Sequence, residues 1–521
     1  MANHAQQIGR RSGLVATALI LLLTLGTLGA VASRAEGAFR ITAADWAAIR
    51  FTLVQATLSA LASVVLAIPV ARALSRRRFA GRGILITLLG APFILPVIVA
   101  VLGLLAVFGR NGLISTALGW FGLEPIHIYG LHGVVLAHVF FNMPLATRLI
   151  LQGWATIPAE RFRLAASLNF QPRDTARLLE RPMLRAVLPG AFVVVFLICT
   201  TSFAVALALG GGPKATTVEL AIYQAFRFDF DLSRAAVLAL IQFTIGATAA
   251  ALAYRFAIPS GFGAGLDGQA MIWGIGRWQY KITDTIAILL AAAFLLTPLL
   301  MILRNGLPGM FQLSDAVLWA AMRSLIVALA STLLAISLAI PMALLIQASK
   351  GARRGLVEIV GYLSISASPL VLGTGLFILL FPIADPIKLA LVVTALVNAV
   401  MALPFALRAI SPALNEVESN FGQLADSLNI QGWARLRLIL LPRLRRPLGF
   451  AAGLTAALSM GDLGVIALFG DPNFATLPLQ LYRLMSAYRM EDAAAAALLL
   501  LCLSLALFWI FDRGGRLNAE T

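Results

Sequence analysis

The chain has 521 residues, of which 60% are hydrophobic and only 12% charged, with a mean hydropathy of +0.91 and a net charge of +17. Soluble domains have about 45–50% apolar and about 25% charged residues, so this composition excludes a water-soluble protein. The positive charge does not predict nucleic-acid binding, because the basic residues lie in short loops between apolar runs, as is typical of proteins in a lipid bilayer. Cys199 and Cys502 both lie in apolar runs, so no disulfide framework is expected.

Apolar runs long enough to cross a bilayer, which takes about 20 helical residues, occur throughout the chain. They cover residues 13–32, 51–73, 83–107, 131–152, 188–209, 234–254, 284–303, 316–347, 356–381, 386–407, 448–469 and 492–511. The first run follows Arg10 and Arg11 and resembles a cleaved signal peptide. It is longer than the roughly 7–15 apolar residues of a signal, so a retained helix is expected. The sequence therefore predicts an all-α polytopic membrane protein with about 12 transmembrane helices.

The positive charge also predicts the orientation of these helices. If the N-terminus is cytoplasmic and the loops alternate, 28 of the 40 Lys and Arg residues lie on cytoplasmic segments. Cytoplasmic loops of membrane proteins carry such an excess. Both termini are therefore predicted to be cytoplasmic.

An internal repeat organises the chain. Residues 164–185, which we call loop A, are identical at 11 of 22 positions to residues 424–445, loop B, without a gap. The chain is predicted to be a head-to-tail fusion of two six-helix units, residues 1–258 and 259–521. Since each unit has an even number of spans, both units have the same orientation and their repeat axis is expected along the membrane normal.

Loops A and B are basic and amphipathic, and each is predicted to form a helix, a turn and a second short helix. Asn169 and Asn429 interrupt the first helix, because asparagine tolerates the left-handed conformation that ends a helix. The second helix is expected over residues 175–179 and 434–440 and is expected to end at a proline. The candidate contact residues are Leu164, Ala165, Asn169, Gln171 and Pro182 in loop A, and Leu424, Ala425, Asn429, Gln431 and Pro442 in loop B.

Basic amphipathic segments can also lie on anionic lipid. Two copies at a fixed spacing instead favour a partner with two-fold symmetry. Ala165 and Ala425, with the two asparagines, are predicted to enter a groove of that partner, because small residues permit close approach.

Four polar residues within the apolar runs are candidates for a transport pathway: Asp462, Ser202, His138 and Asn398. A carboxylate within a membrane is costly, so Asp462 is expected to face protein or water. Its counterpart in the repeat is Ser202. The alternative role for Asp462 is a structural hydrogen bond at a kink next to Gly461 and Gly464.

Prolines and glycines indicate which spans lie in the interior. Pro92, Pro96 and Pro369 interrupt apolar spans, which is tolerated where protein or a water-lined cavity surrounds the freed backbone carbonyls. Close helix approach is expected at three glycines, namely Gly103, Gly373 and Gly375. Ordinary helix packing and contact with a substrate both fit these residues.

Two motifs suggest a phosphate-binding loop and a metal site, but neither has the residues that such a site requires. The segment GGGPKATT, residues 210–217, lacks the glycine before lysine that a phosphate-binding loop requires. His127, His132 and His138 have no cysteine or carboxylate at metal-ligand spacing, so no metal site is expected. No catalytic constellation is present, so the chain is predicted not to be an enzyme, and any energy must come from another chain.

At loops A and B the sequence resembles the cytoplasmic EAA loop of ABC importer permeases, E-A-A-x3-G-x9-I-x-L-P. The spacing from Asn169 to Pro182, like that from Asn429 to Pro442, is the 13 residues that separate glycine and proline in the family. Leu179 and Ile439 occupy the isoleucine position. The chain departs from the motif at Arg163 and Gln423 in place of glutamate, at asparagine in place of glycine, and at Arg181 in place of leucine. The resemblance implies a type I importer fold whose loops dock on an ATPase.

A longer resemblance, to the thiamine and thiamine pyrophosphate importer permeases of Gram-negative bacteria, extends over residues 129–152, 209–242 and 461–484. It implies an inner-membrane permease that works with two copies of an ABC ATPase and a periplasmic binding protein delivering thiamine or its phosphates. ATP and Mg²⁺ would be bound by the ATPase, leaving no cofactor on this chain. Thiamine is cationic, so contact with the substrate is one of the two roles open to Asp462, beside the structural hydrogen bond at the kink. Permeases for iron(III) or polyamines share the architecture, and an ion-coupled secondary transporter is the alternative from another class.

Overall fold

The computed structural model describes residues 3–35, 41–90, 94–255, 278–364 and 367–517, and these residues form helices joined by turns and short connections. The helices of the first half are α1 (Asn3–Leu21), α2 (Thr27–Arg34), α3 (Ala43–Arg76), α4 (Arg82–Leu88), α5 (Val97–Phe108), α6 (Leu113–Gly119), α7 (Leu131–Ala155), α8 (Ala159–Ser167), α9 (Pro172–Thr175), α10 (Arg181–Thr200), α11 (Phe203–Leu209), α12 (Val218–Arg227) and α13 (Leu232–Arg255). Those of the second half are α14 (Trp278–Gly306), α15 (Asp315–Ala348), α16 (Gly351–Leu363), α17 (Pro369–Leu380), α18 (Ala390–Ser427), α19 (Gly432–Arg435), α20 (Leu441–Met460), α21 (Gly464–Phe469), α22 (Leu477–Ser486) and α23 (Met490–Leu517).

The prediction of an all-α protein with about 12 spans is confirmed. Among the described residues, 11 helical segments are long and apolar enough to cross a membrane, and the twelfth position is occupied by the shorter Pro369–Leu380. The interruptions predicted within runs 83–107 and 356–381 are confirmed at Pro96 and Pro369, whereas Pro92 lies outside the described residues. Each run is divided into two, as α4 with α5 and α16 with α17, because a proline removes a backbone donor and its ring clashes with the preceding turn.

The long helices of the two halves correspond, although α6 has no counterpart in the second half and α7 and α8 correspond to the single helix α18. Helices α3 and α15 both have 34 residues, and α10 and α20 both have 20. Even a tertiary hydrogen bond is duplicated: the Val218 N–H donates to Thr52 Oγ1 at 2.9 Å, and the Leu477 N–H donates to Ser324 Oγ at 2.8 Å. The predicted boundary at residues 258 and 259 lies outside the described residues and stays a prediction.

The first helices of the two halves are exchanged. Helices α1 and α2 pack on α15 and α17 of the second half, whereas α14 packs on α3 and α5 of the first half. Repeat-related glycines allow this contact: a Cβ on Gly103 would lie 2.8 Å from the Pro298 oxygen, and one on Gly375 would lie 2.6 Å from Thr27 Cβ. The close approach predicted at these glycines is therefore confirmed, and it fastens each half to the other.

Candidate functional site

Loops A and B contain the same sharp helix end. Asn169 and Asn429 both have φ of 53°, so the predicted left-handed conformation is confirmed. The next N–H in each loop donates to the carbonyl five residues back, from Phe170 to Ala165 and from Ile430 to Ala425, both at 2.9 Å. This pattern is the Schellman motif, which caps a helix and reverses the chain.

The expectation that Pro182 and Pro442 end the second helix is wrong. Each proline lies near the start of a 20-residue helix, α10 or α20, that continues the segment. A π-helical turn, Ala176–Glu180 or Leu436–Leu440, comes directly before. The wider turn removes the ordinary hydrogen bond that proline cannot make, so the helix passes through it. Loops A and B are therefore joined rigidly to membrane-length helices.

The large apolar side chains on the surfaces of both loops include a pair of leucines at equivalent positions in each loop. Leu164 and Leu424 are 60% and 57% exposed, and Leu168 and Leu428 follow one turn later on the same face at 59% and 62%. Ala165 and Ala425 are instead buried within the chain, at 6% and 1% exposure. The hypothesis that these alanines enter a partner's groove is therefore corrected: the alanines are buried inside the chain, and the leucines face outward.

The other predicted residues of the loops lie on or near the surface. Asn169, Gln171 and Pro182 are exposed, as is Asn429, whereas Gln431 and Pro442 are half-buried. Gln431 Nε2 donates to Asn429 Oδ1 at 2.8 Å, which supports the turn of loop B.

The two loops are fastened to the protein differently. In loop A the buried Glu180 accepts from Arg72 and Arg76 of α3, at 2.9 and 3.2 Å, and the nearby Arg77 pairs with Asp284 of α14 at 2.8 Å. In loop B the tie is local, because Arg435 pairs with Glu418 and Asp426 on α18. Within the described parts of the chain, neither set of ion pairs has a counterpart in the other half, so the two loops differ in how they are held.

The four interrupted spans meet at one place. Helix α10 is interrupted after Thr200 and α20 after Met460, so that α11 and α21 begin anew at Phe203 and Gly464. A Cβ on Gly461 would lie 3.0 Å from Pro96 Cα, and one on Gly464 would lie 3.6 Å from Pro369 Cβ and 4.0 Å from Phe203 Cδ1. We call this junction of Pro96, Phe203, Pro369 and residues 461–464 the break site.

Asp462 lies within the break site, one residue beyond Gly461. Its Oδ1 accepts from the Gly464 N–H at 3.2 Å, whereas its Oδ2 is buried and has no hydrogen-bond partner among the described residues. Ser202 lies at the equivalent interruption before α11 and is half-buried. A single carboxylate with a free acceptor atom at the junction of both halves can stabilise a positive charge in a low-dielectric environment.

His138 and Asn398 lie elsewhere, in polar contacts between three helices of their own halves. His138 Nδ1 lies 3.1 Å from Ser59 Oγ. At the same place in the second half, Asn398 Nδ2 donates to Ser459 Oγ at 3.0 Å, and this hydroxyl donates to Ser331 Oγ at 2.9 Å. Ser202 therefore directly precedes Phe203 of the break site and Asp462 belongs to that site, whereas His138 and Asn398 make polar contacts between helices, and a role of any of the four residues in a transport pathway stays a prediction.

Comparison with known proteins agrees with this architecture. A family model described as "binding-protein-dependent transport system inner membrane component" matches residues 331–514, most of the second half. Together with the repeated spans and loops, this match defines the chain as a membrane permease of that transport class.

The most similar relatives include three described as "Thiamine transport system permease protein ThiP". The chain is 40% identical to that of Brucella abortus (strain 2308) over 521 residues, covering 98% of this chain and 96% of the relative. It is 39% identical to that of Salmonella typhimurium over 524 residues, covering 98% and 97%, and 40% identical to that of Escherichia coli K12 over 491 residues, covering 91% and 90%. The chain belongs to the family of thiamine transport system permease proteins.

Proposed function

We propose that this chain forms the pathway of an ATP-driven importer for thiamine and its phosphate esters. The observation that supports this proposal is the break site, where interrupted helices of both halves surround Asp462. Interrupted helices with polar groups at the junction of two repeats are typical of substrate pathways in transporters. A cationic thiazolium ring passing this point would meet the free Oδ2 of Asp462.

The relatives favour thiamine over the other cargoes that this architecture can carry. Iron(III) and polyamine permeases have the same two-loop organisation, but relatives that match nearly the whole chain have thiamine transport in their names. An ion-coupled secondary transporter would leave two surface loops of exposed leucines without a role. The proposed activity is transport, with no chemical reaction on this chain.

Loops A and B are proposed to dock on two copies of an ABC ATPase, which would bind ATP and Mg²⁺. Two repeat-related pairs of exposed leucines, Leu164 with Leu168 and Leu424 with Leu428, offer matched apolar contacts to such a two-fold partner. Lipid is the other possible neighbour of these leucines, but it requires neither a fixed spacing nor a duplicated Schellman turn. A binding protein is proposed to deliver substrate at the opposite membrane face.

The orientation follows from charge. We propose that both loops and both termini lie on the cytoplasmic side of the bacterial inner membrane, because the arginines around the loops favour that side. Gly210–Thr217 then lies on the periplasmic side, where it would meet the binding protein. Lys214 in this segment is exposed.

The test is reconstitution of the purified chain into lipid vesicles. We expect uptake of labelled thiamine only when the ATPase, ATP and the binding protein are all present, and co-purification of the ATPase in mild detergent. Uptake by the chain alone under a proton or sodium gradient would refute the importer and support the secondary transporter. Uptake of ferric iron or spermidine in place of thiamine would refute the proposed substrate.

A further inference from the structure

Two arginines from opposite halves converge on a single backbone oxygen. Arg483 on α22 donates from Nη2 to the Gly470 carbonyl at 2.7 Å, and Arg227 on α12 donates from Nη2 to the same carbonyl at 3.4 Å. Gly470 has φ of +59°, and a Cβ there would lie 2.5 Å from Arg227 Cζ, so only glycine lets the guanidinium lie over the backbone. The chain is therefore built to bring two positive charges together.

This arginine pair is not neutralised by a close carboxylate. Among the described residues, neither arginine has a carboxylate oxygen within 4 Å. Asp471, whose charge acts on Arg483, accepts the Asn473 N–H at 2.6 Å through Oδ1. Burial and the charge of Arg227 lower the pKa of Arg483, which reflects the cost of holding two cations together in a half-buried place. An anion bound between them would relieve that cost.

The arginine pair and the break site lie at opposite ends of one short helix. Helix α21 runs from Gly464, beside Asp462, to Phe469, just before Gly470. Six helical residues rise by about 9 Å, so the backbone places Asp462 and Gly470, the contact point of the arginines, at the two ends of a helix about as long as a small zwitterion.

Aromatic rings connect the two ends. Phe203 contacts the break site, and its ring lies 5.2 Å from that of Tyr223 in an edge-to-face arrangement. Tyr223 in turn is close enough to Arg227 and Arg483 for both charges to act on its pKa. Aromatic faces attract organic cations, so this side of the path suits a ring cation whose tail extends towards the arginines.

We propose that Arg227 and Arg483 form an anion subsite that binds the phosphate of a phosphorylated substrate while its cationic ring lies towards Asp462. This inference rests on the proposed function and adds to it the residues that distinguish the phosphate esters from thiamine itself. The subsite joins both halves, so a phosphorylated substrate bridges them. Arginine suits this role because its planar guanidinium donates two hydrogen bonds to phosphate.

The experiment compares two substrates in vesicles that contain the complete importer with its ATPase and binding protein. Arg483→Gln is expected to reduce the uptake of labelled thiamine diphosphate about tenfold while thiamine uptake stays within about twofold, because only the ester loses a charge-assisted contact. Arg227→Gln should shift the preference in the same direction, and Arg483→Lys should restore part of it. Arg489→Gln is the matched control, since Arg489 is an exposed arginine paired with Asp492 in the following turn.

Every other outcome contradicts either the anion subsite or the proposed function. Equal losses for both substrates would overturn the subsite and assign the pair to contact between the halves. Unchanged uptake of both substrates, or thiamine transport by the native importer without any transport of the diphosphate, would also overturn it. Selectivity that depends on anionic lipid would identify a lipid phosphate as the ligand instead. Failure of the native importer to transport either substrate would refute the proposed function rather than the subsite.

Discussion

Glu180 offers the sharpest test of how loop A is connected to the membrane helices. Its carboxylate is buried between Arg72 and Arg76, and Arg76 has only 4% of its side chain exposed. In the second half, Glu180 corresponds to Leu440, and Arg76, the last residue of α3, corresponds to Ala348, the last residue of α15. The Glu180→Leu variant therefore gives loop A the chemistry of loop B while leaving a buried guanidinium behind.

The cost of this change follows from the remaining contacts of Arg76. Removing one partner of a buried ion pair costs about 3–5 kcal/mol, because the other charge stays buried. Asp284 still lies 3.9 Å from Arg76, so we expect the free energy of unfolding to fall by about 3 kcal/mol, at the lower end of that range. Adding Arg76→Ala removes the buried guanidinium that has lost Glu180. The free energy of unfolding should then rise again by about 2 kcal/mol, since Asp284 keeps its pair with Arg77.

The assay is unfolding in mixed detergent micelles, followed by circular dichroism, on the native chain and on the single and double variants. ATP hydrolysis by the assembled importer would be measured in parallel. We expect the single variant to lose both stability and the stimulation of ATP hydrolysis by the binding protein. A single variant as stable as the native chain, or a double variant less stable than the single one, would refute the reasoning about the buried pair.

Three further predictions concern the loops and the contact between the halves. Leu428→Asp and Leu168→Asp should both abolish stimulated ATP hydrolysis without preventing membrane insertion. The milder Leu428→Ala should reduce stimulated ATP hydrolysis more than Leu168→Ala, and equal reductions would contradict the prediction that loop B is the more sensitive. Asn429→Gly should leave coupling intact, whereas Asn429→Val should destabilise the loop by about 1–2 kcal/mol, because a left-handed conformation is costly for a branched side chain; unfolding measurements would show whether the two variants differ. Gly375→Val should separate α2 from α17, given the 2.6 Å approach to Thr27, and native-like stability of the purified variant would contradict that packing.

The sequence predicted features that depend on local chemistry. Asparagine at residues 169 and 429 indicated the left-handed helix ends because few other residues adopt that conformation easily. Pro96 and Pro369 indicated interrupted helices because proline cannot donate a hydrogen bond. The same rule failed at Pro182, because a π-helical turn before it lets the helix continue without the hydrogen bond that proline cannot donate. No residue type in that turn predicts a π-helix.

Features that depend on tertiary packing could not be predicted. A repeat of 260 residues shows that interruptions come in pairs but not that all four meet at the break site. Ala425 was assigned to the surface because a short amphipathic helix does not reveal which small residue faces its own protein. The sequence did not predict the arginine pair, because neither arginine is repeated. Arg227 corresponds to Ser486 in the second half, and Arg483 corresponds to Gln224 in the first half.

We propose that a cationic substrate crosses the membrane through the break site, next to Asp462. The most direct measurement is the uptake of labelled thiamine by the reconstituted importer carrying Asp462→Asn, with ATP hydrolysis as the control for assembly and Asp385→Asn, in an exposed turn, as the charge control. A carboxylate about 4 Å from a cation contributes about 4 kcal/mol at an effective dielectric constant of 20, so losing a third of this slows passage about tenfold. We predict that uptake falls at least about tenfold in an assembled complex that still hydrolyses ATP. Unchanged uptake would place the pathway elsewhere, and loss of assembly would show that Asp462 serves only to hold the interrupted helix in place.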